Sequence, residues 1–263
     1  AKYLIIQYDQ RGCGRSRPGG EIRFNTTEDL LADIERLRVA LNVQTWHVAG
    51  GSWGASLTLL YAQSHPKVIR RVLLRSPFLC TDQEINAYLS APPEACKVRW
   101  QLLADTCNRD GPSTILDYSH AAFCADAVDT FVATDRLREL ARAWSVYEMA
   151  MDAWPAGTTP PTRFDDQALI ARYRIHLHYL QARCFVQTPI VSEPERFRNL
   201  DLTIVHGEQD ALCPFQNSLE IQRHISHAKV VPVSGAGHNA FDSRMVQAVM
   251  AEIRRWASEP SSV

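Results

Sequence analysis

Apolar residues fall in two rhythms along this chain. Short, nearly unbroken runs occur at Tyr3-Leu4-Ile5-Ile6-Gln7-Tyr8, Trp46-His47-Val48-Ala49, Val72-Leu73-Leu74, Leu202-Thr203-Ile204-Val205-His206 and Lys229 to Val233. Such runs predict strands buried on both faces. Between them lie stretches with helical spacing. Leu30, Leu31, Ile34, Leu37, Val39 and Leu41 form the first, opened by Thr26 and Asp29 at the separation of a capping box. A second runs to about Ser64, where His65-Pro66 stops it. Two more cover Phe215 to Ile225 and a final segment ending near Trp256. Alternating strands and helices predict an α/β fold, a mostly parallel sheet with helices on its faces.

From about Leu79 the rhythm changes to helix-like stretches broken by Pro92-Pro93, Asp110-Gly111-Pro112 and a loop from Pro155 to Pro161. No convincing strand pattern returns before Leu202. The pattern divides the chain into a core in two parts, 1–79 and 196–263, and a mostly helical cap, 80–195, over the carboxyl edge of the sheet. Pro189 and Pro194 fall in the return linker.

One junction carries chemistry. The strand at 46–49 runs into Gly50-Gly51-Ser52-Trp53-Gly54, and a helical stretch leaves it. A Gly-x-Ser-x-Gly turn between strand and helix pushes the serine out at the top of a sheet, so Ser52 is the candidate nucleophile. Three fixed residues recur by chance, so the pattern needs partners. Serine requires a base to take its proton, histidine titrates in the useful range, and an acid must hold the imidazole tautomer. Asp210 and His238 follow Ser52 in the order of an α/β-hydrolase triad, each in a loop after a predicted strand. Asp242 and His206 are the substitutes.

Composition narrows the class. The 263 residues are 46% hydrophobic, enough for a sizeable core. With 28 basic against 29 acidic residues and no basic run, neither nucleic acid nor an anionic membrane is an expected partner. No apolar run has the length of a membrane span. Seven cysteines contain no C-x-x-C pair, and their odd number fits reduced thiols in the cytoplasm better than a disulfide framework. The histidines are scattered: His176 and His178 point to different helix faces, while His224 and His227 lie on one face without a nearby triad of carboxylates or thiols. No metal and no cofactor are expected.

Several blocks together resemble the prolyl aminopeptidase (proline iminopeptidase) family of serine α/β-hydrolases: Asp9-Gln10-Arg11-Gly12-x-Gly14-x-Ser16, Asn25-Thr26-Thr27-x-Asp29-Leu30, Gly50-Gly51-Ser52-Trp53-Gly54 with Tyr61-Ala62-Gln63-x-His65-Pro66, and Asp210-x-x-Cys213-Pro214. The resemblance is dense over 3–79, looser over the cap and clear again over 202–242. It implies release of an N-terminal proline from a small peptide through an acyl-enzyme on Ser52, with the Trp53 backbone N–H as one oxyanion donor. Trp144-Ser145-Val146-Tyr147-Glu148 matches the family segment whose acid receives the substrate amine, which gives that role to Glu148. The second amine-binding acid of the family aligns with His176, and an imidazole does not attract an ammonium as a carboxylate does. Trp53, Phe78, Trp144, Tyr147 and Tyr179 are candidates to line an apolar pocket beneath the cap.

The family strands and oxyanion loop that precede these blocks have no counterpart here, so an upstream segment of the same protein is expected to complete the core. Two other readings stay open: an esterase or amidase of the same fold acting on another acyl substrate, favoured by His176, and a binding protein that has lost catalysis.

Overall fold

A computed structural model describes residues 3–90, 92–108, 114–124, 134–157, 159 and 161–258. The break expected at Asp110-Gly111-Pro112 lies outside the described residues. Four parallel strands form the sheet in chain order: β1 (Trp46–Ser52), β2 (Ile69–Pro77), β3 (Asp201–Gly207) and β4 (Lys229–Val233). Register is continuous from Val48 against Val72, through Val72 against Leu202, to Ile204 against Val230. In the centre, β2 and β3 are buried almost residue by residue, as parallel strands covered on both faces must be.

The helices follow from local signals. In α1 (Thr27–Ala40) the Thr26 hydroxyl accepts from the Asp29 N–H and the Asp29 carboxylate accepts from the Thr26 N–H, which completes the expected capping box. After β1 comes α2 (Trp53–Ser64), which ends before Pro66 as the residues require. Leu59, Val72, Leu74, Ile204 and Ile221 build the core on one sheet face, and Leu73, Val205, Val233, Met245 and Trp256 on the other. Each fully buried aliphatic side chain contributes about 1.5–3 kcal/mol.

Between β2 and β3 run α3 (Asp82–Ser90), α4 (Lys97–Asn108), α5 (Ile115–Cys124), α6 (Asp135–Ala153) and α7 (Asp166–Gln181). They enclose a second core of Tyr88, Leu103, Leu140, Trp144, Tyr147, Tyr173 and Leu177. After β3 and β4 come α8 (Gln216–His224) and α9 (Ser243–Ser258). Among the described residues no helix is long and apolar enough to cross a membrane.

One expected strand is absent. Residues 3–10 form no strand, and Leu4 and Ile5 are 87% and 78% exposed. A strand is buried only where a neighbour takes up its N–H and C=O groups, and among the described residues β1 pairs with β2 alone. Tyr3 finds packing edge-on against His47, with ring centroids 5.6 Å apart. The loop that follows is held by Arg11, whose guanidinium binds both carboxylate oxygens of Asp33, Nε at 2.5 Å and Nη2 at 2.9 Å.

Candidate active site

At the carboxyl end of β1 the backbone turns within one residue. Ser52 takes φ 56°, ψ −125°, a left-handed conformation that side chains rarely adopt, and Trp53 already begins α2. The turn is this tight because Gly50 is bare: a Cβ there would overlap the Gly54 carbonyl and lie 2.5 Å from Thr58 Oγ1. Gly51 is bare for another reason. The Arg75 side chain crosses it, 2.6 Å from where a Cβ would stand, and donates from Nη1 to the His238 carbonyl at 2.5 Å. Gly54 meets open space, so only its backbone, not a missing side chain, serves the turn. Ser52 sits at the N-terminus of α2, where unpaired N–H groups and the helix dipole favour negative charge.

The other two expected residues meet. Asp210 lies in the loop after β3 and His238 in the loop after β4. The His238 Nδ1 lies 2.8 Å from Asp210 Oδ2, and both residues are buried. Asp210 Oδ1 accepts from the Leu212 and Cys213 N–H groups at 3.0 and 2.8 Å. Burial drives the Asp210 pKa up, but hydrogen bonds and charge from His206 and His238 outweigh it and hold the carboxyl far below its ordinary value. It stays an anion that orients the imidazole. Ser52 Oγ has Cys213 Sγ at 3.9 Å as its hydrogen-bond contact. Ser52 and His238 line one cavity of about 540 Å³ without bonding each other, a separation ordinary for a site awaiting substrate.

The substitute residues hold other positions, His206 beside the same acid with its Nε2 3.5 Å from Asp210 Oδ2. His206 is fully buried, with Nδ1 2.6 Å from Ser218 Oγ and Nε2 2.8 Å from the Cys213 carbonyl. Asp242 pairs with Arg244 at 2.6 Å. Trp53, Phe78 and Tyr179 line the cavity. Trp144 and Tyr147 do not line it, contrary to expectation: the Trp144 indole donates to Ser119 Oγ at 2.9 Å, the Tyr147 hydroxyl donates to the Tyr88 carbonyl, and both belong to the helical core. Their spacing on α6 fits a core face as well as a cavity face.

Glu148 faces the cavity, but it is not a free acid. Oε2 accepts from Arg172 Nη2 and the Tyr173 hydroxyl, both at 2.8 Å, and Oε1 accepts from the Tyr88 hydroxyl at 3.3 Å. Burial raises its pKa, yet His176, Arg172 and the two tyrosines more than reverse this, and the carboxyl ends below its ordinary value. His176 is half-buried among Tyr88, Trp144 and Tyr173, its Nε2 3.6 Å from Glu148 Oε1 and without a hydrogen bond. Burial lowers the His176 pKa, Glu148 opposes the fall and Arg172 reinforces it, a balance that favours the neutral ring. Arg172, Tyr88, Asp152 and Arg75 escaped the sequence reading. Two of them had a signal: Asp152 lies one helical turn beyond Glu148, and Arg172 one turn before His176. Among the described residues no cluster of His, Cys, Asp and Glu is arranged to hold a metal.

The family model described as the alpha/beta hydrolase fold matches residues 1–244. A proline iminopeptidase of Xylella fastidiosa is 32% identical over 262 residues, covering 95% of this chain and 79% of that protein. The proline iminopeptidase of Neisseria gonorrhoeae is 30% identical over 257 residues, 95% of this chain and 79% of its own length. That of Arabidopsis thaliana is 32% identical over 244 residues, covering 90% of this chain and 62% of the plant protein. Among solved structures, the esterase RhEst1 from Rhodococcus sp. ECU1013 superposes with a TM-score of 0.58 at 18% identity, over 95% of this chain and 78% of the esterase, a likeness of fold alone. With a serine at a strand-to-helix turn, an Asp–His pair facing the same cavity, and these relatives along nearly its whole length, the chain belongs to the proline iminopeptidase family of α/β-hydrolases.

Proposed function

We propose that the protein releases an N-terminal proline from small peptides through an acyl-enzyme on Ser52. The observation that carries this reading is the Asp210–His238 pair facing the cavity into which the β1–α2 turn delivers Ser52. His238 Nε2 takes the Ser52 proton as Oγ attacks the carbonyl carbon, while Asp210 holds Nδ1–H and balances the imidazolium. The tetrahedral oxyanion lies against the Trp53 N–H at the start of α2. His238 then protonates the departing amine, and water, activated by the same imidazole, frees the proline. Trp53, Phe78, Ile175 and Tyr179 supply apolar walls for a pyrrolidine ring, and the helical segment 80–195 acts as the cap that closes over it. The family resemblance assigns the substrate amine to an acid on α6, Glu148. Seven free thiols support a reducing compartment, the cytoplasm.

The pairing of Glu148 with Arg172, beside an imidazole where the family carries a second acid, favours a second reading: a hydrolase of the same fold that takes acyl groups without a free amine. The two are separated by kcat/KM for proline β-naphthylamide, N-acetylproline β-naphthylamide and a p-nitrophenyl ester. A strong preference for the free amine, with turnover and fluorophosphonate labelling both abolished in Ser52→Ala, is expected. Ester turnover indifferent to an added amine would move the protein to the second reading. A lack of labelling in the wild type would place it with folds that have lost catalysis.

A further inference from the structure

The acid assigned to the amine by family resemblance is already occupied. A carboxylate offers about four acceptor positions. Three of those of Glu148 are taken by Arg172, Tyr173 and Tyr88, the His176 ring stands 3.6 Å from Oε1, and the guanidinium at 2.8 Å offsets its charge. An arriving ammonium would meet a cation on the way to it. Asp152 stands in the opposite condition. It lies on the same α6 face, one turn nearer the helix C-terminus, lines the same cavity, and is half-buried. Among the described residues its carboxylate has no hydrogen bond and no ion pair. An unpaired carboxylate that has lost part of its water is a receptor for a cation.

Distance favours it as well. In a substrate with N-terminal proline the amine nitrogen is two bonds from the carbonyl carbon that Ser52 attacks, about 2.5 Å away. The acid that holds this nitrogen must therefore stand beside the reacting groups. Asp152 lies two residues before Trp154, whose carbonyl meets Gly237 beside His238, and it feels the charges of His238, Arg75 and Asp210 as well as that of Glu148; Glu148, paired with Arg172, stands about 6 Å farther along the helix by the rise of four residues. We infer that Asp152 is the specificity-determining residue that receives the ammonium of the substrate, with Glu148 held in reserve as the counter-ion of Arg172. Burial, the largest influence, with Asp210 and Glu148 adding to it, raises the Asp152 pKa despite His238 and Arg75, the state of an anion in need of a partner. The inference rests on the reading that the substrate carries a free amine.

The test compares Asp152→Asn and Glu148→Gln with wild type. Asparagine keeps the shape and removes the charge. The ratio of kcat/KM for proline β-naphthylamide to that for p-nitrophenyl acetate is expected to fall about 100-fold in D152N and less than tenfold in E148Q. Loss of both activities in proportion in D152N would show that Asp152 acts through His238 or the fold, and would overturn the inference. So would a selective loss in E148Q alone. A second measurement separates this inference from the aminopeptidase reading: inhibition of ester turnover by L-prolinamide against N-acetylprolinamide. Stronger inhibition by the free amine, abolished in D152N, upholds Asp152 as the amine receptor even if wild type fails to cleave proline amides. Equal inhibition by the two compounds in wild type overturns it.

Discussion

Asp210 shows how far a few bonds can move a side chain. Its depressed pKa means that the folded protein binds the acid's proton more weakly than the unfolded chain does. A carboxyl lowered in this way adds stability that is complete above its unfolded value, about pH 4, and is lost as pH falls toward the folded value. Asp210→Asn is therefore expected to flatten the acid side of the stability profile below about pH 4, measured by urea unfolding from pH 7 down to pH 3. At neutral pH the same variant is expected to lose about 10³–10⁴ in kcat, because the asparagine no longer selects the imidazole tautomer, with the far-ultraviolet spectrum unchanged. The Ser, Asp and His were legible in the sequence because each follows a strand and the strands were legible. The partners of Glu148 were not: Arg172 lies 24 residues away on another helix, and only the packing of α7 on α6 brings it within 2.8 Å. A side chain's charge can be read from its letter, but whether that charge is free cannot.

At the scale of elements, two close approaches position the site. Gly50 allows β1 and α2 to meet at Ser52, and Gly237 allows the His238 loop to press on the residue that ends α6. A Cβ at Gly237 would overlap the Trp154 carbonyl oxygen, which is backbone and cannot swing aside. Gly237→Ala is expected to push the loop and helix end apart, lowering kcat/KM by roughly 100-fold through displacement of the base. A fall in Tm of several degrees is expected with it, checked by calorimetry beside initial rates. The capping box on α1 was legible because four consecutive residues hold all of its parts. The strand predicted at 3–8 was misread for the opposite reason: apolar letters reveal an appetite for burial, while a pairing partner decides whether it is met.

Over the whole molecule, that unmet appetite becomes surface. Leu4, Ile5 and Phe24 are exposed in the segment before α1, and the outer edge of β1 carries ladder groups with no described strand beside them. Apolar side chains and an open strand edge together promote contact between copies. The double variant Leu4→Glu, Ile5→Glu is expected to lower self-association of this chain in sedimentation runs across a concentration series, with little change in Tm. The junction at Gly237 and Trp154 has a wider consequence. The helix that carries Glu148 and Asp152 ends in backbone contact with the loop that carries His238, which ties the two together at that point. If the helical segment swings open to admit a peptide, the pivot must lie away from that point, or His238 would be drawn from Asp210 with each opening. Descendants of such an enzyme would find new substrates by exchanging side chains along α6 and α7, as Asp152 and His176 suggest, and not by sliding the helices.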